Sequence, residues 1–160
     1  MTIYFADGTS QATAGGGKIL QVVSSKKNDR TSTTSQSFID ISGLSVSITP
    51  SSSSHKVLIM WDLNIGKSVG VGHINLVRDS TAIAQPDGSQ SQSSSKQVYH
   101  QSHGAHINVA ACFLDSPSTT SSTTYKIQVR NEADTTFTVN GWYSGVNYRS
   151  ASSITVMEVD

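Results

Sequence analysis

The chain has 160 residues, 11 lysines and arginines against 11 aspartates and glutamates, and a formal net charge of zero. Only 14% of positions are charged, while 29 serines and 16 threonines put a small hydroxyl on more than a quarter of the chain, so its solubility rests on hydroxyls rather than ions. One domain of this size buries roughly two-thirds of its unfolded surface; scattered basic residues exclude a nucleic-acid partner, no apolar run reaches the roughly 18 residues of a membrane span, and the single Cys112 excludes a disulfide framework or a multi-cysteine zinc site.

Residues 1–17, MTIYFADGTSQATAGGG, stand apart. A β-prone run around Ile3, Tyr4 and Phe5 is followed by an Asp-Gly turn signal and then three consecutive glycines, which are costly to order and supply nothing to pack. This segment reads as an attachment peptide with a flexible joint, its apolar contacts being Ile3, Tyr4 and Phe5. The Gly-Gly-Gly-Lys run lacks the spacing of a phosphate-binding loop, and no helical pattern follows it. No basic stretch with an apolar core opens the chain as an export signal would.

From residue 18 to 160 the hydrophobic period is two. Nine strands are expected, near 18–25, 37–41, 43–49, 56–65, 72–79, 106–115, 124–130, 136–142 and 152–159. In the fourth, Val57, Ile59, Trp61, Leu63 and Ile65 share one side, and Leu58 and Met60 on the other predict a central strand partly covered on its second face. The segment 124–130 alternates Tyr125, Ile127 and Val129 with Lys126, Gln128 and Arg130, a strand with one wet face. Cys112 lies in an apolar run and is expected to be buried. The intervening clusters of Ser, Thr, Gly and Pro are turn chemistry, and the carboxylates Asp87 and Asp115 fit turn initiation. The fold class expected is all-β: an antiparallel, jelly-roll-like sandwich of about nine strands. Its first and last strands, both apolar, are expected to pair centrally or to face a symmetry axis.

Three histidines, His100, His103 and His106, are closely spaced. If they lay in one strand, His100 and His106 would share a face and His103 would point away, so a three-histidine zinc site requires Gly104 to break the strand. A solvated loop is the plainer reading, with one histidine per chain around a symmetry axis as the other; no metal or cofactor is expected. Catalysis has little support: there is no Gly-x-Ser-x-Gly elbow, and the carboxylates are dispersed. Tyr99, Trp142, Tyr143 and Tyr148 sit in or beside glycine- and serine-rich segments. Such aromatics either cap the rim of the sandwich or present an exposed binding surface for a sugar or a protein pocket.

The segment FADGTSQATA resembles the short DGTxQxxA sequence near the start of fibre and tail-associated proteins of tailed bacteriophages. The pieces KILQVV, IDISGLSVSITPSSSSHKVLIMWDLNI, NLVRDSTAIA, FLDSPSTTSSTTYKIQVR and SSITVMEVD are similar, in order, to a small virion protein of phages of aquatic bacteria, cyanobacteria included. The resemblance implies a non-enzymatic tail-fibre or tail-tip protein: a homotrimer located in the virion, with an N-terminal peptide (1–17) docked on other virion proteins. Its β-sandwich knob (18–160) would face the host surface, with Tyr99, Trp142, Tyr143 and Tyr148 as candidate contacts to a glycan or protein. The sequence departs from the family pattern between Gly66 and Gly72 and from Gln85 to Gly104, which would be its variable loops. A capsid decoration or head-fibre protein is the rival in the same class, and a carbohydrate-binding module the rival from another.

Overall fold

The computed structural model describes residues 3–4, 10–11, 17–87, 94–101, 104–144 and 148–160. Two short strands, β1 (Ile3–Tyr4) and β2 (Ser10–Gln11), pair antiparallel on either side of the Asp-Gly dipeptide and form a ribbon of their own. Phe5, the third expected anchor residue, lies outside the described residues.

The remaining strands are β3 (Ile19–Lys27), β4 (Thr31–Thr33), β5 (Ile39–Ile48), β6 (Lys56–Lys67), β7 (Gly70–Arg78), β8 (Thr81–Ile83), β9 (Lys96–His100), β10 (Ala105–Asp115), β11 (Thr123–Asn131), β12 (Phe137–Val139) and β13 (Ser152–Val159). They form two antiparallel sheets. In the first, β6 pairs along its whole length with β10. Its opposite edge is divided: β13 takes Lys56 to Asp62 and β12 takes Ile65 to Lys67. Beyond them lie β3 and β4 respectively. The second sheet runs β5–β11–β7, and β8 and β9 share the far edge of β7.

Taking β3 with β4, β8 with β9 and β12 with β13 as interrupted strands leaves eight positions. Their order is first, eighth, third, sixth in one sheet and second, seventh, fourth, fifth in the other, the double Greek key of a jelly roll. The β-sandwich of the sequence reading is therefore the fold. The expected 37–41 and 43–49 strands are one strand, broken only by an irregularity in which residues 41–44 of β5, with Gly43 at φ +85°, stand against the single residue 127 of β11. The short β4, β8 and β9 are additions.

The inward positions follow the alternation. Val57, Ile59, Trp61, Leu63 and Ile65 of β6 are all buried, facing Tyr125, Ile127 and Val129 of β11 in one apolar cluster. Two polar ties fasten the periphery. Arg78 Nη1 donates to both carboxylate oxygens of Asp115 (3.0 and 2.9 Å), and the buried Tyr125 hydroxyl donates to the same group at 2.7 Å, so the end of β10 is fixed to the opposite sheet. Asp115, expected at a turn, is thus a link between sheets; burial, with that carboxylate beside it, raises the Tyr125 pKa. Near the end of β13, Glu158 is buried and accepts hydrogen bonds from Gln21 Nε2 (2.5 Å), Ser51 N (2.7 Å), Ser51 Oγ (2.7 Å) and His55 Nδ1 (2.7 Å).

β6 is central, as its pattern predicts, and its second side is partly covered: Leu58 is half-buried, Met60 is 45% exposed and Gly66 is buried. One expectation fails on the outer face of the first sheet: Cys112 is exposed. On β10 the residues at 107, 109, 111 and 113 turn toward the core, so Ala110, Cys112 and Leu114 point outward despite being apolar.

Candidate functional site

Trp142 stands at the centre of a ring cluster at one end of the first sheet. Its centroid is 5.2 Å from that of Tyr143, 5.8 Å from that of Tyr148 and 6.5 Å from that of His106, all three rings tilted against it. The segment reaches this position because β12 ends at Val139, where Asn140 adopts φ +62°. Asn140 Nδ2 then donates to the carbonyls of Lys27 (2.7 Å) and Asp29 (3.2 Å). Ser152 Oγ donates to Asn140 Oδ1 at 2.6 Å, and Gly141 bridges Arg149. The loop between β12 and β13 is thereby pinned at both ends.

Close approach explains two glycines here. A Cβ on Gly66 would lie 2.1 Å from the carbonyl oxygen of Gly141, and one on Gly104 would lie 1.9 Å from the Tyr143 ring. The Trp142–Tyr143 segment therefore lies directly on the end of β6 and on the start of β10. Arg30 Nη2 donates to the Trp142 carbonyl at 3.3 Å from the other side. Along β10 the aromatic surface continues into polar groups. Asn108, two residues beyond His106 on the same face, donates through Nδ2 to Asp62 Oδ1 and at 3.5 Å to Asn64 Oδ1.

Of the four aromatic residues expected at a contact surface, three are brought together: Trp142 and Tyr143 half-buried, and Tyr148 64% exposed. Tyr99 is equally exposed, but it projects from β9 in the second sheet and makes no ring contact among the described residues. The histidines do not share a strand. His100 ends β9 in one sheet and His106 opens β10 in the other, with Gly104 at φ +77° between them; His103 lies outside the described residues. Among the described residues no group of three His, Cys, Asp or Glu could hold a metal. The participation of His106, Asn108 and Asp62 in one surface was missed, because it depends on how β10 registers against β6.

A serine, a histidine and a carboxylate do stand in line elsewhere: His73 Nδ1 is 3.1 Å from Ser94 Oγ, and its Nε2 is 2.9 Å from Glu132 Oε1. His73 and Ser94 are buried, and Ser94 Oγ also bonds the Lys96 carbonyl at 3.0 Å, so the row fastens β7 to the segment before β9.

The second surface feature is a groove of about 480 Å³ on the outer side of β10, β6 and β13, lined by Met60, Asp62, Ala110, Cys112, Thr155 and Met157 among others. It is apolar apart from Asp62 and the hydroxyls of β13.

No protein-family model matches the chain, and no curated protein does. Among solved structures, the chain is similar to one described as "Structure of infectious bursal disease virus Gx strain", with a TM-score of 0.42 and 12% sequence identity. The match covers 94% of this chain and 42% of that one, so the chain spans less than half the length of its structural neighbour.

Proposed function

We propose that this chain is a non-enzymatic structural protein of a phage virion. In this reading it is a trimeric tail-fibre or tail-tip knob whose N-terminal 17 residues dock on other virion proteins and whose aromatic end meets the host surface. The observation that carries the reading is the Trp142 cluster: four rings gathered at one end of a rigid sandwich, on a loop pinned at both ends and backed by glycines, with Tyr148 left in solvent. A recognition surface gains from such preorganisation, because little loop entropy is lost on binding. Repetition of a weak contact on three copies raises avidity without any new interaction.

The test uses the purified full chain, labelled and mixed with host cells. Tyr148→Ala and Trp142→Ala are expected to lower cell binding at least tenfold while the far-ultraviolet spectrum stays unchanged. Binding that is absent from the parent protein, or indifferent to both substitutions, refutes the host-contact role. Deletion of residues 1–17 is expected to abolish incorporation into virions and leave the knob folded. Immunogold labelling of intact particles then separates a tail position from a head position, where the same knob would serve as a decoration or head-fibre protein.

A further inference from the structure

The two outer faces of the sandwich differ in kind. On the second sheet polar side chains bond one another across the strands: Asp40 accepts from Lys126 Nζ and Gln128 Nε2, each at 2.7 Å, and the hydroxyls of Ser47 and Thr124 are 2.8 Å apart. That face is built for water. On the first sheet, pairing across β3, β13, β6 and β10 aligns the outward side chains in three successive rows. The first holds Val22, Met157, Leu58 and Leu114; the second Ser24, Thr155, Met60 and Cys112; the third Lys26, Ser153, Asp62 and Ala110. The first row is wholly apolar, with Val22 55% and Leu114 48% exposed at its two ends. Ile19 and Leu20, also exposed, extend it along β3, whose free edge has no partner strand among the described residues.

We propose that this face is where copies of the chain meet, with the β3 side of one copy seated in the β6–β10 groove of the next, around a rotation axis parallel to the strands. Rotation about such an axis leaves the height of every residue along the strands unchanged, so contacts form between residues of the same row. Val22 of one copy meets Leu58 and Leu114 of its neighbour, and Ser24 meets Met60 and Cys112. In the third row Lys26 meets Asp62. The charges are complementary at the one height where the face carries charge on both β3 and β6. The Lys26 ammonium makes no hydrogen bond or ion pair with any described residue, and Asp62 uses a single oxygen, toward Asn108. A partner of unrelated sequence would have to match an apolar row and place an anion and a cation two rows away from it; a second copy has all three in register. Contact there also covers the free edge of β3, which would otherwise template wrong pairing. The interface deepens the reading of an assembled knob and rests on it only for the number of copies.

The full chain carrying Ser24→Cys provides the test. Within one copy, positions 24 and 112 lie three strands apart, about 14 Å, beyond the roughly 7 Å between Cα atoms that a disulfide spans. A bond between them therefore joins two copies. Mild oxidation is expected to convert most of this variant to covalent oligomers, closing at three chains for a threefold axis and at two for a twofold, and Cys112→Ser in the same variant is expected to abolish them. Met60→Lys is expected to keep the parent circular dichroism and raise the dissociation concentration at least tenfold. Lys26→Glu is expected to do the same, with recovery in the Lys26→Glu, Asp62→Lys double variant. An oligomer of unchanged native mass in all these variants, without cross-linking, overturns this interface and leaves the assembled knob standing. A monomer at every concentration overturns both.

Discussion

Replacing Glu158 by glutamine removes one charge and almost no volume. Burial pushes the carboxyl pKa up, but the hydrogen bonds from Gln21, Ser51 and His55 together outweigh it and bring the value down to about 2. A hydrogen bond to a charged group contributes about 1.5–3 kcal/mol. Glutamine can still accept through its carbonyl, but its amide nitrogen meets donors that faced the second oxygen. The expected loss is on the order of 2–4 kcal/mol at pH 7, a large share of the roughly 5–15 kcal/mol that holds a domain folded. For a chain of this length it corresponds to a fall in Tm of about 4–16 °C. The pH dependence supplies a signature that a packing defect lacks. A carboxylate whose folded pKa is depressed stabilises fully above its ordinary value near 4.5 and loses that contribution as pH falls through about 2. Denaturant unfolding of the parent protein should therefore show stability dropping across that window, and Glu158→Gln should show a shallower drop from a lower start. Equal stability at pH 7 and parallel pH profiles would refute the reasoning.

The buried Tyr125 hydroxyl and Arg78 both depend on Asp115. Asp115→Asn should cost about 1–3 kcal/mol in equilibrium unfolding, whereas Tyr125→Phe, which leaves the Arg78 pair intact, should cost about 1 kcal/mol. Ile59 is fully buried at the middle of β6, so Ile59→Ala should cost about 2–5 kcal/mol in the same assay. Gly104→Ala forces a side chain into the Tyr143 ring at a positive φ. It should shift the near-ultraviolet signal of the Trp142 cluster; an unchanged spectrum would mean that the loop does not rest on β10.

Where one face of a strand meets the core and the other meets water, period two decides everything, and β11 and the inward side of β6 were legible for that reason. The period cannot choose between two apolar faces. Over residues 109–114 of β10 both alternating sets are apolar, so the period cannot tell that Cys112 faces outward while its neighbours Ala111 and Phe113 turn to the core. Short elements were invisible because three residues such as Thr31–Thr33 carry no period; β4 exists because β12 offers it an edge. The aromatic end was half legible. Trp142, Tyr143 and Tyr148 stand out among small residues, but Asn108 and Asp62 join them only through a register set over more than forty residues of intervening chain.

The position of β13 governs how the chain can be made. Residues 152–159 insert between β3 and β6, two strands that have emerged from the ribosome long before. Until they arrive, both of those strands keep an open edge, and the first sheet cannot close over the core. Folding must wait for pairings of very long range, which are slow to form, and a chain cut short before residue 152 cannot complete the sandwich. A polypeptide interrupted during synthesis before residue 152 is thus left with an open sheet and an exposed core, a ready substrate for proteolysis.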